Sequence, residues 1–95
     1  MDQFLYQCDD TYITVCTDVF SSAFAPGVSA PQSLGLDPEI VLPLIKHVLR
    51  TRKVRGFDIC EISPRFDQDN TTANLGAVII FAVVNTLCRL NGLSI

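Results

Sequence analysis

Apolar and polar positions change their period repeatedly along this chain, and each change marks an element. Tyr12–Thr17 (YITVCT) is an uncharged run of β-branched and aromatic residues, the pattern of a strand buried on both faces of a parallel sheet. Asp18 stands where that strand should end, and in open α/β sheets ligands gather at the carboxyl ends of strands. A long stretch of small and apolar residues follows, so residues 12–36 read as one strand and one packed functional loop. Ile40, Val41, Leu44, Ile45, Val48 and Leu49 then recur at three and four residues. They predict an amphipathic helix over about 38–52, with Asp37 as N-cap and Pro38 at its first position. Pro43 lies inside that helix and should kink it or delay its start. Thr51-Arg52-Lys53 places positive charge at its end. Val54–Ile62 is a second strand, stopped before Pro64. Leu75, Val78, Ile79, Ala82, Val83, Thr86 and Leu87 share one side of a second helix over about 71–90, capped by Asn70, Thr71 or Thr72 and ended by Asn91-Gly92. Met1–Thr11 has helical spacing at Phe4, Leu5 and Cys8, which suits either a short helix or a frayed terminus.

Strand, helix, strand, helix implies an α/β fold with parallel pairing. Two strands cannot close such a domain. Both sheet edges would be bare and the faces only partly covered, so the 95 residues read as a single partial domain of something larger. Composition narrows the rest. Seven basic against ten acidic residues leave no basic face for phosphates, which argues against a nucleic-acid partner. The longest apolar run, residues 77–84, is far short of the ~20 needed to span a bilayer, so no membrane role is expected. Cys8, Cys16, Cys60 and Cys88 contain no CxxC pair, and Met1-Asp2-Gln3 opens no secretory leader. Four reduced cysteines in a cytoplasmic protein are the expectation.

The stretch also carries a resemblance. Tyr12, Thr14, Asp18, Ala23-Phe24-Ala25-Pro26-Gly27 and Pro31 fall in register with the last metal-ligand motif of the ureohydrolases, the arginase and agmatinase superfamily. Val19-Phe20-Ser21-Ser22 and Gly27–Pro31 most resemble its formimidoylglutamase branch. The resemblance covers nearly all of this chain and roughly the last third of a family member. It implies that these residues are the C-terminal β-α-β-α portion of a three-layer, parallel-sheet, arginase-like fold. It further implies a binuclear manganese site, a small-molecule amidine substrate and the homo-oligomers common in the family. The reaction implied is hydrolysis of N-formimidoyl-L-glutamate to L-glutamate and formamide in histidine degradation.

The same resemblance assigns the site residues. Asp18 takes the place of a metal ligand, and hard divalent ions suit carboxylates. The first of the family's two aspartates, two residues earlier, aligns with Cys16. A thiolate is a softer donor, so either this branch uses Cys16 or the site is altered. Alternation along a strand would point both residues to one side. Glu61, in Asp58-Ile59-Cys60-Glu61-Ile62-Ser63-Pro64, matches an acid that faces the substrate's amidine in relatives, where a carboxylate can make two parallel charge-assisted bonds. Asp67, Thr72, Ala73 and Leu75 also match, and read as turn and helix-start structure. His47, the chain's one histidine, reads as a surface helix residue, not a ligand. The family's G-G-[DG]-H and D-A-H-x-D segments are absent, so most ligands would lie upstream and the chain alone should not turn over. Three readings stay open: part of a formimidoylglutamase, part of an agmatinase- or arginase-like amidine hydrolase of other specificity, or a non-catalytic remnant that acts only by association. An in-frame D-A-H-x-D upstream would favour the enzyme readings.

Overall fold

A computed structural model describes residues 1–93. Helix α1 (Asp2–Gln7) leads into strand β1 (Thr11–Cys16). A 3-10 turn at Thr17–Val19 opens the long loop, helix α2 (Pro38–Leu49) returns the chain, and strand β2 (Val54–Cys60) pairs parallel to β1. Helix α3 (Thr71–Leu90) follows. This is the expected strand-helix-strand-helix order, preceded by a real helix and not a frayed end. Its Leu5 is buried, and Lys53 Nζ donates to the Leu5 carbonyl at 2.7 Å, satisfying the last turn.

The predicted caps divide. Asp37 caps α2 as expected, accepting from the Glu39 amide at 2.8 Å, and Pro38 occupies the first turn. The helix starts at Pro38 and runs through Pro43 without delay. It stops at Leu49, short of residue 52, because Arg52 turns into left-handed backbone at φ 63°. The basic cluster beyond it serves other helices. Lys53 closes α1, and the Arg52 guanidinium donates to the Leu90 carbonyl at the end of α3. Gly92 (φ 73°) ends α3 in a Schellman turn, with the Leu93 amide donating to the Cys88 carbonyl at 2.8 Å.

The core lies on one side of the sheet. Val15 packs with Ile45 and Leu49 of α2 and with Ile79 and Val83 of α3, joined by partly buried Ile13, Phe57 and Ile59. The register pairs Tyr12 with Gly56, Thr14 with Asp58 and Cys16 with Cys60, so these six residues share the opposite face. That corrects the expectation that β1 is buried on both faces: Tyr12 and Thr14 are exposed. No described element supplies a second helical layer over this face, so it meets solvent in this chain. Tyr12 uses it by laying its ring over Gly56, where a Cβ would sit 2.4 Å from the ring, and by donating from its hydroxyl to Asp58 Oδ2 at 2.9 Å. That bond, then burial and the Asp58 charge, raise the Tyr12 pKa.

The helices are equally one-sided. Of the predicted apolar stripes, Ile45, Leu49, Ile79 and Val83 are buried, whereas Ile40, Leu44 and Val78 are about half exposed. By length and composition α3 would suffice to cross a bilayer, since its Asn and Thr residues interrupt the apolar run without charging it. The same composition suits an inner helix of a larger protein.

Candidate functional site

The loop after β1 is fixed by its own contacts. Thr17, fully buried, donates from Oγ1 to the Cys60 carbonyl at 2.9 Å and so ties the end of β1 to the end of β2. Phe20 and Ala25 are sealed in the core. The Ser21 amide donates to Leu36 and the Leu36 amide to Val19, closing the loop at its neck as an Ω-shaped excursion. Its tip is pinned to α3. The Gly27 amide donates to Thr72 Oγ1 at 2.7 Å, and the Ser63 amide donates to the Gly27 carbonyl at 2.6 Å. A Cβ at Gly27 would meet the Asp67 side chain at 2.7 Å, so only glycine allows this approach.

Asp67 turns out to be the cap of α3. Asn70 holds the N-cap position in left-handed backbone (φ 59°) and makes no side-chain cap bond. Instead Asp67 accepts from the Thr72 and Ala73 amides at 2.9 and 3.0 Å, and from the Gln68 amide at 2.9 Å. Burial pushes its carboxyl up, but these bonds, with the Thr72 hydroxyl, together lower its pKa. Asp67, Thr72 and Gly27 thus form one chain of contacts joining the loop, the β2 exit and the start of α3. The structural reading of Asp67 and Thr72 holds. The cap is Asp67 and not Asn70, Thr71 or Thr72, and it was hidden because the helix amides that it accepts from lie five and six residues beyond it.

Asp18 does not sit on the strand. It lies in the 3-10 turn Thr17–Val19, so strand alternation does not place it beside Cys16. Its Oδ1 is buried and has no hydrogen-bond partner. A sealed carboxylate oxygen without a donor is costly, and a cation would satisfy it. Glu61 is exposed at the end of β2 in left-handed backbone, φ 69°. That conformation ends the strand at Cys60, two residues early, and such strain in a non-glycine residue concentrates at functional sites. Cys16 and Cys60 face each other across the strand ends. Burial, then the neighbouring Cys16 thiol, then Asp58 and Glu61 raise the Cys60 pKa. Among the described residues no three His, Cys, Asp or Glu side chains converge as a metal site. Cys16, Asp18 and Glu61 stand at one end of the sheet without forming a closed cluster. His47 is engaged elsewhere, its Nε2 lying 2.6 Å from Asp2 Oδ1.

A parallel strand pair with an acidic turn and a pinned loop at its strand ends defines a segment of an α/β fold. The chain belongs to the arginase family, whose family model matches residues 1–85. It is similar to the formimidoylglutamase of Clostridium tetani (strain Massachusetts / E88), with 61% identity over 95 residues, all of this chain and 28% of that protein. The formimidoylglutamase of Legionella pneumophila (strain Lens) is 44% identical over 86 residues, covering 90% of this chain and 27% of its own. Among solved structures, proclavaminate amidino hydrolase from Streptomyces clavuligerus superposes with TM-score 0.77 at 33% identity, over 85% of this chain and 27% of that one. Formimidoylglutamase from Bacillus subtilis superposes with TM-score 0.86 at 24% identity, over 93% and 28%. The fold is arginase-like α/β, and the chain spans under a third of the length of the relatives it matches.

Proposed function

We propose that this chain is the C-terminal part of a formimidoylglutamase, which hydrolyses N-formimidoyl-L-glutamate to L-glutamate and formamide in histidine degradation. The observation that carries the reading is the 61% identity along the whole chain to a protein of that name. The reading extends to a cytoplasmic enzyme acting on a small amidine, with no nucleic-acid or membrane partner and with self-association in the intact protein.

Family membership goes with a binuclear metal site, and manganese is the proposed metal. Asp18 fits it: a buried oxygen without a partner is a ready hard ligand. Cys16 is the softer second donor, and upstream residues complete the set. When bound, the metal pair supplies charge neutralisation and acidifies a water. This chain's own contributions are positional. Thr17 holds the turn that carries Asp18, and the Asp67-Thr72-Gly27 contacts hold the loop below it. Glu61, fixed in its strained backbone, presents a carboxylate to the planar amidinium and orients it by paired hydrogen bonds.

The test is a fusion in which this chain replaces the matching C-terminal 28% of the Clostridium tetani relative. Release of glutamate and formamide from formimidoylglutamate, lost in Asp18→Ala and sharply reduced in Glu61→Ala, is expected. The isolated chain should release neither. Hydrolysis of agmatine or arginine in preference would overturn the substrate assignment. A well-folded but inert fusion would overturn the catalytic one.

A further inference from the structure

One pair of side chains at the strand ends joins Cys16, the proposed softer metal donor, to a cysteine that the proposed function does not use. Cys60 is the register partner of Cys16 on the neighbouring parallel strand. Register partners point to the same face of a sheet, and this is the face that no described helix covers. Neighbouring strands lie ~4.7–4.9 Å apart, inside the window of roughly 4.4–6.8 Å between the Cα atoms of bridged cysteines. Both thiols are free and partly exposed, and Cys60 Sγ sits 3.7 Å from the Val15 carbonyl, turned towards β1. The other two cysteines lack such a partner: Cys8 follows α1, with its thiol on the Phe4 carbonyl, and Cys88 lies in the last turn of α3.

We propose that Cys16 and Cys60 form a dithiol that a low-molecular-weight disulfide, such as glutathione disulfide, converts to a cross-strand disulfide. The thiolate of one cysteine attacks the small disulfide, breaking its S–S bond and releasing one small thiol. The second cysteine's thiolate then attacks the protein sulfur of the mixed disulfide and expels the second small thiol. Two cysteine thiols are oxidised, one small disulfide is reduced to two thiols, and the two cysteine protons end on those thiols. The bridge joins the two strand ends and occupies the Cys16 sulfur, so it is a reversible covalent lock at the carboxyl edge of the sheet. It rests on strand register and on the two free thiols, and in the metal-free chain it stands whether or not the catalytic reading does.

The experiment is to incubate the full 95-residue chain with glutathione disulfide, alkylate the remaining thiols, and map the bridges by peptide mass spectrometry. The expected major product is a Cys16–Cys60 bridge with Cys8 and Cys88 alkylated. The same treatment in denaturant should shift the product to Cys8–Cys16, because an unfolded chain closes its shortest loop most readily. Cys16→Ser should leave Cys60 holding a persistent glutathione adduct, since the resolving thiol is gone. Cys8–Cys16 as the major product under native conditions would overturn the proposal. So would separate glutathione adducts at Cys16 and Cys60 in the unsubstituted chain.

Discussion

The loop at residues 20–36 and helix α3 are opposite cases of burial. The loop has few large apolar residues, yet Phe20, Ala25 and Val28 are sealed and its neck and tip are hydrogen-bonded. Helix α3 is long and strongly apolar, yet Val78, Ile80, Phe81 and Val84 stand about half exposed. Hydrophobic content therefore does not locate the finished part of this structure; satisfied backbone and close approach do. The loop's backbone is fastened within the chain, although Leu34 and Leu36 stand open. The outer side of α3, the edges of the two-stranded sheet and the face carrying Tyr12 and Thr14 are left open among the described residues.

The sharpest way to break that contrast uses two residues of one type. Phe20→Ala should cost about 3–5 kcal/mol, enough to abolish a cooperative denaturant transition in so small a chain. Phe81→Ala, 60% exposed, should stay within about 0.5 kcal/mol. Similar losses at both positions would mean that α3 is already covered, by self-association for instance, and analytical ultracentrifugation would show it.

A smaller effect sharpens the account of the loop. Thr72→Val keeps the side-chain shape but leaves the buried Gly27 amide without its acceptor, at a cost of about 1–3 kcal/mol by chemical denaturation. Hydrogen exchange at the Gly27 amide should rise most of all. Unchanged exchange there would show that the pin to α3 is dispensable.

How much of this was legible beforehand follows from the range of each signal. Both strands and both long helices are written in local periodicity, and Asp37-Pro38 announces α2 from adjacent residues. The Asp67 cap was not legible, because two left-handed residues, Asp69 and Asn70, fold the chain back to bring a distant acceptor to the helix start. The one-faced burial of β1 was not legible either, since an uncharged run reads alike whether its second cover lies in this chain or another. Asp18 was marked by its place at the predicted strand end, but its role as a metal ligand, and Glu61 altogether, came only through family resemblance. Their distinguishing marks, an orphaned buried oxygen and a strained backbone, exist only in three dimensions.

The smallest expected effect is on pH. The Asp67 pKa is lowered on folding from its ordinary value of 3.8, so its contribution is present above that value and is lost as pH falls through the folded pKa. Asp2, lowered by its hydrogen bond to His47 and by the His47 charge, acts in the same direction. The melting temperature should fall on acidification below about pH 4, and Asp67→Asn should flatten that limb. An equally steep limb in Asp67→Asn would place the acid sensitivity elsewhere.

The central claim is that this chain carries a preformed part of a metal site, built on Asp18, that upstream residues complete. Calorimetric titration of manganese into the Clostridium tetani fusion, with and without Asp18→Ala, tests it most directly. Tight binding in the fusion, lost in Asp18→Ala while the melting profile without metal is unchanged, is the predicted result. Equal manganese affinity in the two proteins would contradict it and remove Asp18 from the site.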